Sequence, residues 1–174
     1  MKHLLDQLKK HGHPLLIDAI ESIHEDTSII AIKNVSLSDP IFHSIESVNQ
    51  AIYPDQSLIE SHIQTSLLLL YHQNYLSNHT YKLKQITAFD AIDPVFCGEQ
   101  IRFETELIKQ NEDIFEFQSR SYVNGQERST MSFSIQQANA TTSGTFIHPT
   151  ASVHSSAILG NNVHIGPYAI VNEQ

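Results

Sequence analysis

The sequence predicts an α+β domain in which one long helix is wrapped by a curved antiparallel sheet, followed by the start of a parallel β-helix. Three observations carry this: a long apolar stretch from Tyr53 to Leu70, strand patterns on both sides of it ending in an Asn-Gly hairpin, and a six-residue beat near the C-terminus. In the first, Leu58, Ile59, Ile63, Leu67, Leu70 and Tyr71 recur at spacings of three and four, so one face wants burial, and near the end most of the circumference does. Pro54 and Asp55 are start signals with Asp55 read as the N-cap, and a helix from Gln56 to about Tyr75 spans roughly 30 Å, enough to cross a small domain. Glu60 sits at the edge of the buried face, where a carboxyl must be paired or hydrated.

Taken in order, residues 4 to 10 read as a short helix stopped by Gly12 and Pro14. Leu15 to Ile20 reads as a buried strand, and Thr27 to Leu37 as a second strand rich in β-branched residues that Asp39-Pro40 ends. A poorly patterned loop from His43 to Ile52 leads into the helix. Beyond the polar stretch Asn78 to Lys84, strands are expected over Gln85 to Ile92, Glu99 to Gln110, Ile114 to Asn124 and Arg128 to Gln136. The alternation in the third of these puts Phe115, Phe117, Ser119 and Ser121 on one face, and Asn124-Gly125 signals a tight hairpin.

Residues 1–137 therefore form the first domain and 138–145 a small polar linker without periodicity. From 146 to 174, Ile147, Val153, Leu159, Ile165 and Val171 stand at an unbroken interval of six, with Ala151, Ala157, Val163 and Ala169 four residues after each of the first four. One aliphatic and one small residue per hexad pointing inward is the pattern of a β-helix whose hexads form the sides of a triangular coil. A hairpin needs alternation instead. With about a coil and a half present, this segment cannot bury a stable core alone. The expectation is that the gene product continues, or that the first domain or other subunits hold these coils.

Composition narrows the class of function. Apolar content of 40% and charged content of 17% describe a globular chain. A net charge of −9 argues against nucleic acid, no apolar run is long enough to span a membrane, and no signal-peptide core opens the chain. The single cysteine, Cys97, reads as a small buried hydrophobe, and its lack of a disulfide partner makes the cytoplasm the default compartment. Eleven histidines are scattered without metal-site spacing, so neither metal nor cofactor is expected. His62 lies about 200° around the helix from Glu60 and cannot pair with it, and it reads as a surface or core-edge residue. His148, His154 and His164 are explained by solvated β-helix faces.

The first domain resembles the hot-dog β-hydroxyacyl-acyl-carrier-protein dehydratases of fatty acid synthesis over residues 5 to 136. The resemblance rests on His13 to Asp18, on Ala31 to Val35 followed by Asp39-Pro40-Ile41-Phe42, on Pro54 to Gln64, on Pro94 to Gln100 and on the Asn124-Gly125 hairpin. Phe146 to Ala151 through His164 to Val171 is similar to the opening coils of UDP-N-acetylglucosamine acyltransferase, a left-handed β-helix of lipid A synthesis. Both families handle (3R)-hydroxyacyl chains on acyl carrier protein, so a fusion is chemically coherent. The resemblance implies acyl carrier protein or an acyl thioester as partner, a homodimer through the hot-dog domain, and a hexamer if the β-helix is trimeric. The acyltransferase family's catalytic histidine lies beyond the first coils, so no acyltransferase site is expected here.

Dehydration needs a base for the α-proton, an acid for the leaving β-hydroxyl and dipoles to hold the carbonyl. The resemblance assigns the carboxylate to Glu60 and the following glutamine to Gln64. It also implies substrate contacts from Phe42, Tyr53, Gln56 and Ser57, with free backbone N–H groups of the helix start polarising the thioester. The family's base is a histidine in a Gly-His-Phe-Pro motif. Counted from Phe42 that position is Ile45, and counted back from Pro54 it is Glu46. His43 stands two or three residues off register, on the order of 7 to 10 Å in an extended loop. Loss of the dehydratase chemistry is the simpler reading. An active dehydratase using Glu60 with His43, and a thioesterase in which Glu60 activates water, are the alternatives.

Overall fold

The computed structural model describes residues 2–10, 14–42, 51–73 and 80–138, and of the C-terminal segment 146–154, 156–157, 159, 163–166 and 168–172. The chain forms two units, Met1–Ala138 and Asn139–Gln174. The first begins with α1 (Lys2–Lys10), followed by β1 (Ala19–His24), β2 (Ser28–Asn34) and a 3-10 turn at Pro40–Phe42. Then come α2 (Asp55–Gln73), β3 (Thr80–Ala91), β4 (Gln100–Asn111), β5 (Ile114–Val123) and β6 (Gln126–Ala138). The strands make one antiparallel sheet in the order β1-β2-β4-β5-β6-β3, against which α2 packs. This is the α+β, helix-on-curved-sheet arrangement the pattern predicted.

α2 begins one residue earlier than expected. Leu58 N–H donates to Pro54 O at 3.0 Å, which makes Pro54 the capping residue and puts Asp55 in the first turn, where its charge still complements the helix dipole. Burial also goes further than one face. Every residue from Ser61 to Tyr71 is buried, because the sheet covers one side while Leu4 and Leu8 of α1 are buried against the same core. Such a helix must solve the hydrogen bonding of its polar side chains internally. Ser61, Thr65 and Ser66 do so by donating to the carbonyls of Ser57, Ser61 and His62, one turn back.

Two strand starts differ from expectation by four residues or more. β1 starts at Ala19, not Leu15, because the backbone of Pro14 and Leu16 is bonded to a side chain of α2 and cannot join the ladder. β3 starts at Thr80, ahead of the expected Gln85: its polar residues are compatible with a strand that lies at the sheet edge, exposed along most of its length. The β5–β6 hairpin closes on Asn124 and Gly125, whose φ angles of 52° and 78° supply the left-handed pair that a two-residue loop requires.

Among the described residues of the second unit there are four two-residue strands, β7 (Phe146–Ile147), β8 (Ser152–Val153), β9 (His164–Ile165) and β10 (Ile170–Val171). β7 pairs with β9 and β8 with β10, both parallel, and each pairing joins residues eighteen apart in sequence. Further backbone bonds keep the same beat, from His148 N to Ile165 O, Ser152 N to Ala169 O and His154 N to Val171 O. Among the described residues of this unit only Ile165 is buried.

Candidate functional site

The second turn of α2 collects the polar side chains the sequence singled out. Glu60 is partly buried and its Oε1 accepts from Gln64 Nε2 at 3.2 Å, the i,i+4 spacing bringing the two together on one flank of the helix. Gln64 is fully buried and makes two further bonds: its Oε1 accepts from Leu16 N–H at 3.0 Å and its Nε2 donates to Pro14 O at 2.6 Å. The Leu16 N–H can only meet the amide oxygen, so the amide orientation is fixed and Nε2 is turned towards Glu60. Gln64 thus clamps the segment entering β1 to α2 and holds one oxygen of the Glu60 carboxylate.

The remaining substrate-contact candidates separate by burial. Phe42 lies in the core under the 3-10 turn. Tyr53 is also buried, and its hydroxyl meets Ser61 Oγ at 3.0 Å. Because Ser61 donates to Ser57 O at 2.7 Å, Tyr53 is the donor in this pair. Burial pushes the phenol up to about 12, so it keeps its proton at neutral pH. Gln56 is exposed and Ser57 half-buried at the helix start, but the Ser57 N–H is taken by Pro54 O at 2.9 Å. His43 lies outside the described residues, as does the loop through residue 50.

Close to this flank a buried lysine ties down the turn before the loop. Lys33 reaches Asp39 Oδ1 at 3.0 Å and Asp18 Oδ1 at 3.7 Å. Asp39 in turn accepts from Ser36 N–H and Asp18 from Asn34 N–H, so both carboxylates also hold backbone. Asp39, Asp18 and Glu60 all act electrostatically on the Tyr53 hydroxyl, which places the lysine cluster and the Glu60 flank in one polar neighbourhood.

His62 corrects the sequence reading. It is no surface or core-edge residue but is fully buried, facing the sheet, with its ring edge-on to Phe103 at 4.9 Å. Nδ1 meets Ser119 Oγ at 2.6 Å and Nε2 meets Ser129 Oγ at 2.9 Å. The network extends through Ser119 to Thr105 and through Ser129 to Ser121, at 2.6 Å each. Burial alone lowers the imidazole to about 3, so it is neutral across the ordinary pH range. The signal was in the sequence: serines at 119 and 121 continue the inward row begun by Phe115 and Phe117, and hydroxyls on a buried face demand partners.

Grooves of about 540 and 350 Å³ lie against the strands, the first lined by residues such as Lys84, Glu116 and Ser132, the second by residues such as Ser28 and Arg120; neither is lined by α2. Among the described residues no cluster of metal-ligating side chains occurs, and no helix is long and apolar enough to cross a membrane.

A central helix in a six-stranded antiparallel sheet defines a hot-dog protein, and solved structures agree. The dehydratase heterocomplex ApeI:P from Xenorhabdus doucetiae superposes with a TM-score of 0.61 at 14% identity, over 72% of this chain and 84% of that one. A mutant thioesterase from Pseudomonas aeruginosa gives 0.61 at 11% identity over 79% and 92%. These show the fold alone. No family model matches the chain. Sequence relatives are more specific: the 3-hydroxyacyl-acyl-carrier-protein dehydratase FabZ of Magnetococcus marinus is 30% identical over 123 residues, 67% of this chain and 77% of the relative. FabZ of Bordetella pertussis is 29% identical over 132 residues, 72% and 87%. The chain belongs to the FabZ dehydratase family.

Proposed function

We propose that the hot-dog domain binds (3R)-hydroxyacyl or acyl groups carried as thioesters on acyl carrier protein, and that it has lost most of its dehydration activity. The observation that carries this is the loop before α2. Glu60 and Gln64 are retained on the helix, but Ile45 or Glu46 stands where the family's base histidine falls. Dehydration removes the α-proton, protonates the β-hydroxyl and expels it as water, leaving the Cα=Cβ bond. Glu60, held by Gln64, suits the acid step. A missing general base lowers the rate by typically ~10²- to 10⁴-fold. His62 cannot replace it, since both its nitrogens are bonded and its ring is sealed from substrate.

The domain is proposed to pair with a second copy along β3. This is a twelve-residue edge strand whose Leu83 and Ile86 are exposed apolar side chains, which favours strand addition. Residues 146–174 are proposed as opening coils of a left-handed parallel β-helix, on the six-residue beat and the eighteen-residue parallel pairing, which equals three hexads per turn. A trimeric β-helix joined to a dimeric hot-dog domain gives a hexamer.

The test is turnover of a 3-hydroxyacyl thioester by wild type, His43→Ala and Glu60→Gln. Negligible enoyl product with retained acyl-carrier binding is expected. Robust dehydration abolished by both substitutions shows His43 to be the base and refutes the proposal. Free acid formed only when Glu60 is intact establishes the thioesterase reading instead, for which a carboxylate held by an amide beside the helix start is already suited.

A further inference from the structure

The buried polar chain Thr105–Ser119–His62–Ser129–Ser121 is not needed by the function proposed above. It spans β4, β5, α2 and β6, and four of its five members have no exposed surface, Thr105 being 2% exposed. A neutral imidazole donates from one nitrogen and accepts at the other, so the hydroxyls on its two sides must be oriented head to tail. We propose that this chain is an acid-sensitive latch: neutral His62 locks the second turn of α2 to the sheet, and protonation of His62 releases α2 and dismantles the Glu60–Gln64 flank.

The geometry gives the reason. In the protonated ring both nitrogens donate, and Ser119 and Ser129 can turn to accept, so the hydrogen bonds survive. The charge does not. Towards His62, β4 presents Phe103 and Thr105, β5 presents Ser119 and Ser121, and β6 presents Ser129, none of which carries charge. β2, which also packs on α2, turns Ile29, Ala31 and Lys33 to the same face, and Lys33, paired with Asp39, is a cation that offers an imidazolium no counter-charge. Glu104, Glu106 and Arg120 alternate onto the other face of their strands. Arg128 bonds Asp93, and on α2 itself Glu60 is about 200° around the helix. A cation buried without a counter-charge is costly enough that the ring gives up its proton or the helix leaves. Because α2 is the centre of the core, its departure is cooperative with unfolding of the domain.

The sign follows from linkage. The unfolded imidazole binds a proton below its ordinary value of about 6.5 and the latched one does not, so stability is complete above that value and falls as the pH falls below it. The experiment is urea unfolding of the full chain against pH, followed by far-UV circular dichroism, for wild type and His62→Gln. Between about pH 7.5 and pH 5 the wild-type unfolding constant is expected to rise roughly 30-fold more than that of the variant. Equal pH dependence in the two proteins overturns the proposal. Should His62→Gln fail to fold, NMR titration of the His62 ring in wild type decides: no titration while the domain is folded is expected, and titration near about 6.5 in the folded state refutes the latch.

Discussion

Gln64→Leu removes the amide that ties the segment entering β1 to α2 while nearly conserving side-chain volume. Three bonds are lost, to Leu16 N–H at 3.0 Å, Pro14 O at 2.6 Å and Glu60 Oε1 at 3.2 Å. A neutral hydrogen bond contributes about 0.5–1.5 kcal/mol net, and one to a charged group about 1.5–3 kcal/mol. Simple addition overstates the loss, because Pro14 is exposed and Leu16 and Glu60 are only partly buried, so water can replace the amide at each. A loss of roughly 2 kcal/mol remains, set mainly by imperfect rehydration of Leu16 N–H. With a urea slope of about 2 kcal/mol/M, the unfolding midpoint should fall by roughly 1 M. Gln64→Glu keeps an acceptor for Leu16 but sets a second carboxylate beside Glu60, so its defect should be larger at neutral pH than in mild acid. A midpoint unchanged for Gln64→Leu would mean that the clamp does not hold this segment in solution.

Two further substitutions probe the frame around the site. Lys33→Met strands Asp39 and Asp18 without their cation, and since both carboxylates remain partly hydrated the cost should be roughly 2 kcal/mol, relieved in part by adding Asp39→Asn; chemical denaturation of the single and double variants measures it. Gly125→Ala meets no neighbouring atom but forces an L side chain into φ 78°, so it should cost about 1 kcal/mol and lower the melting temperature by a few degrees, read by differential scanning calorimetry.

The local signals were sufficient for the frame. The apolar recurrence from Leu58 to Tyr71 required a helix, alternation over residues 114 to 123 required a half-buried strand, and Asn124-Gly125 required the tight turn between strands. Each depends on residues close in sequence, where the periods of helix and strand act directly. Glu60 was legible at the edge of the buried helix face, whereas Gln64 was singled out only through the family resemblance. Their spacing of four places both on one flank, but the amide is turned towards Glu60 by its bonds to Leu16 and Pro14, which no local pattern encodes.

What the sequence could not determine depends on contacts between distant segments. His62 looks like an edge residue on a helical projection. It becomes a sealed core group only because β5 and β6 deliver Ser119 and Ser129, 57 and 67 residues away, to its two nitrogens. Likewise the late start of β1 reflects capture of its approach by Gln64, 48 and 50 residues distant, which outcompetes the strand propensity of Leu15 to Ile20. Sequence periodicity determined which strand residues face inward; the tertiary packing buried α2 on all sides, and the strand register and the side chains of α2 decided which inward polar groups meet, because a hydrogen bond needs its partner within about 3 Å and no local pattern encodes that approach.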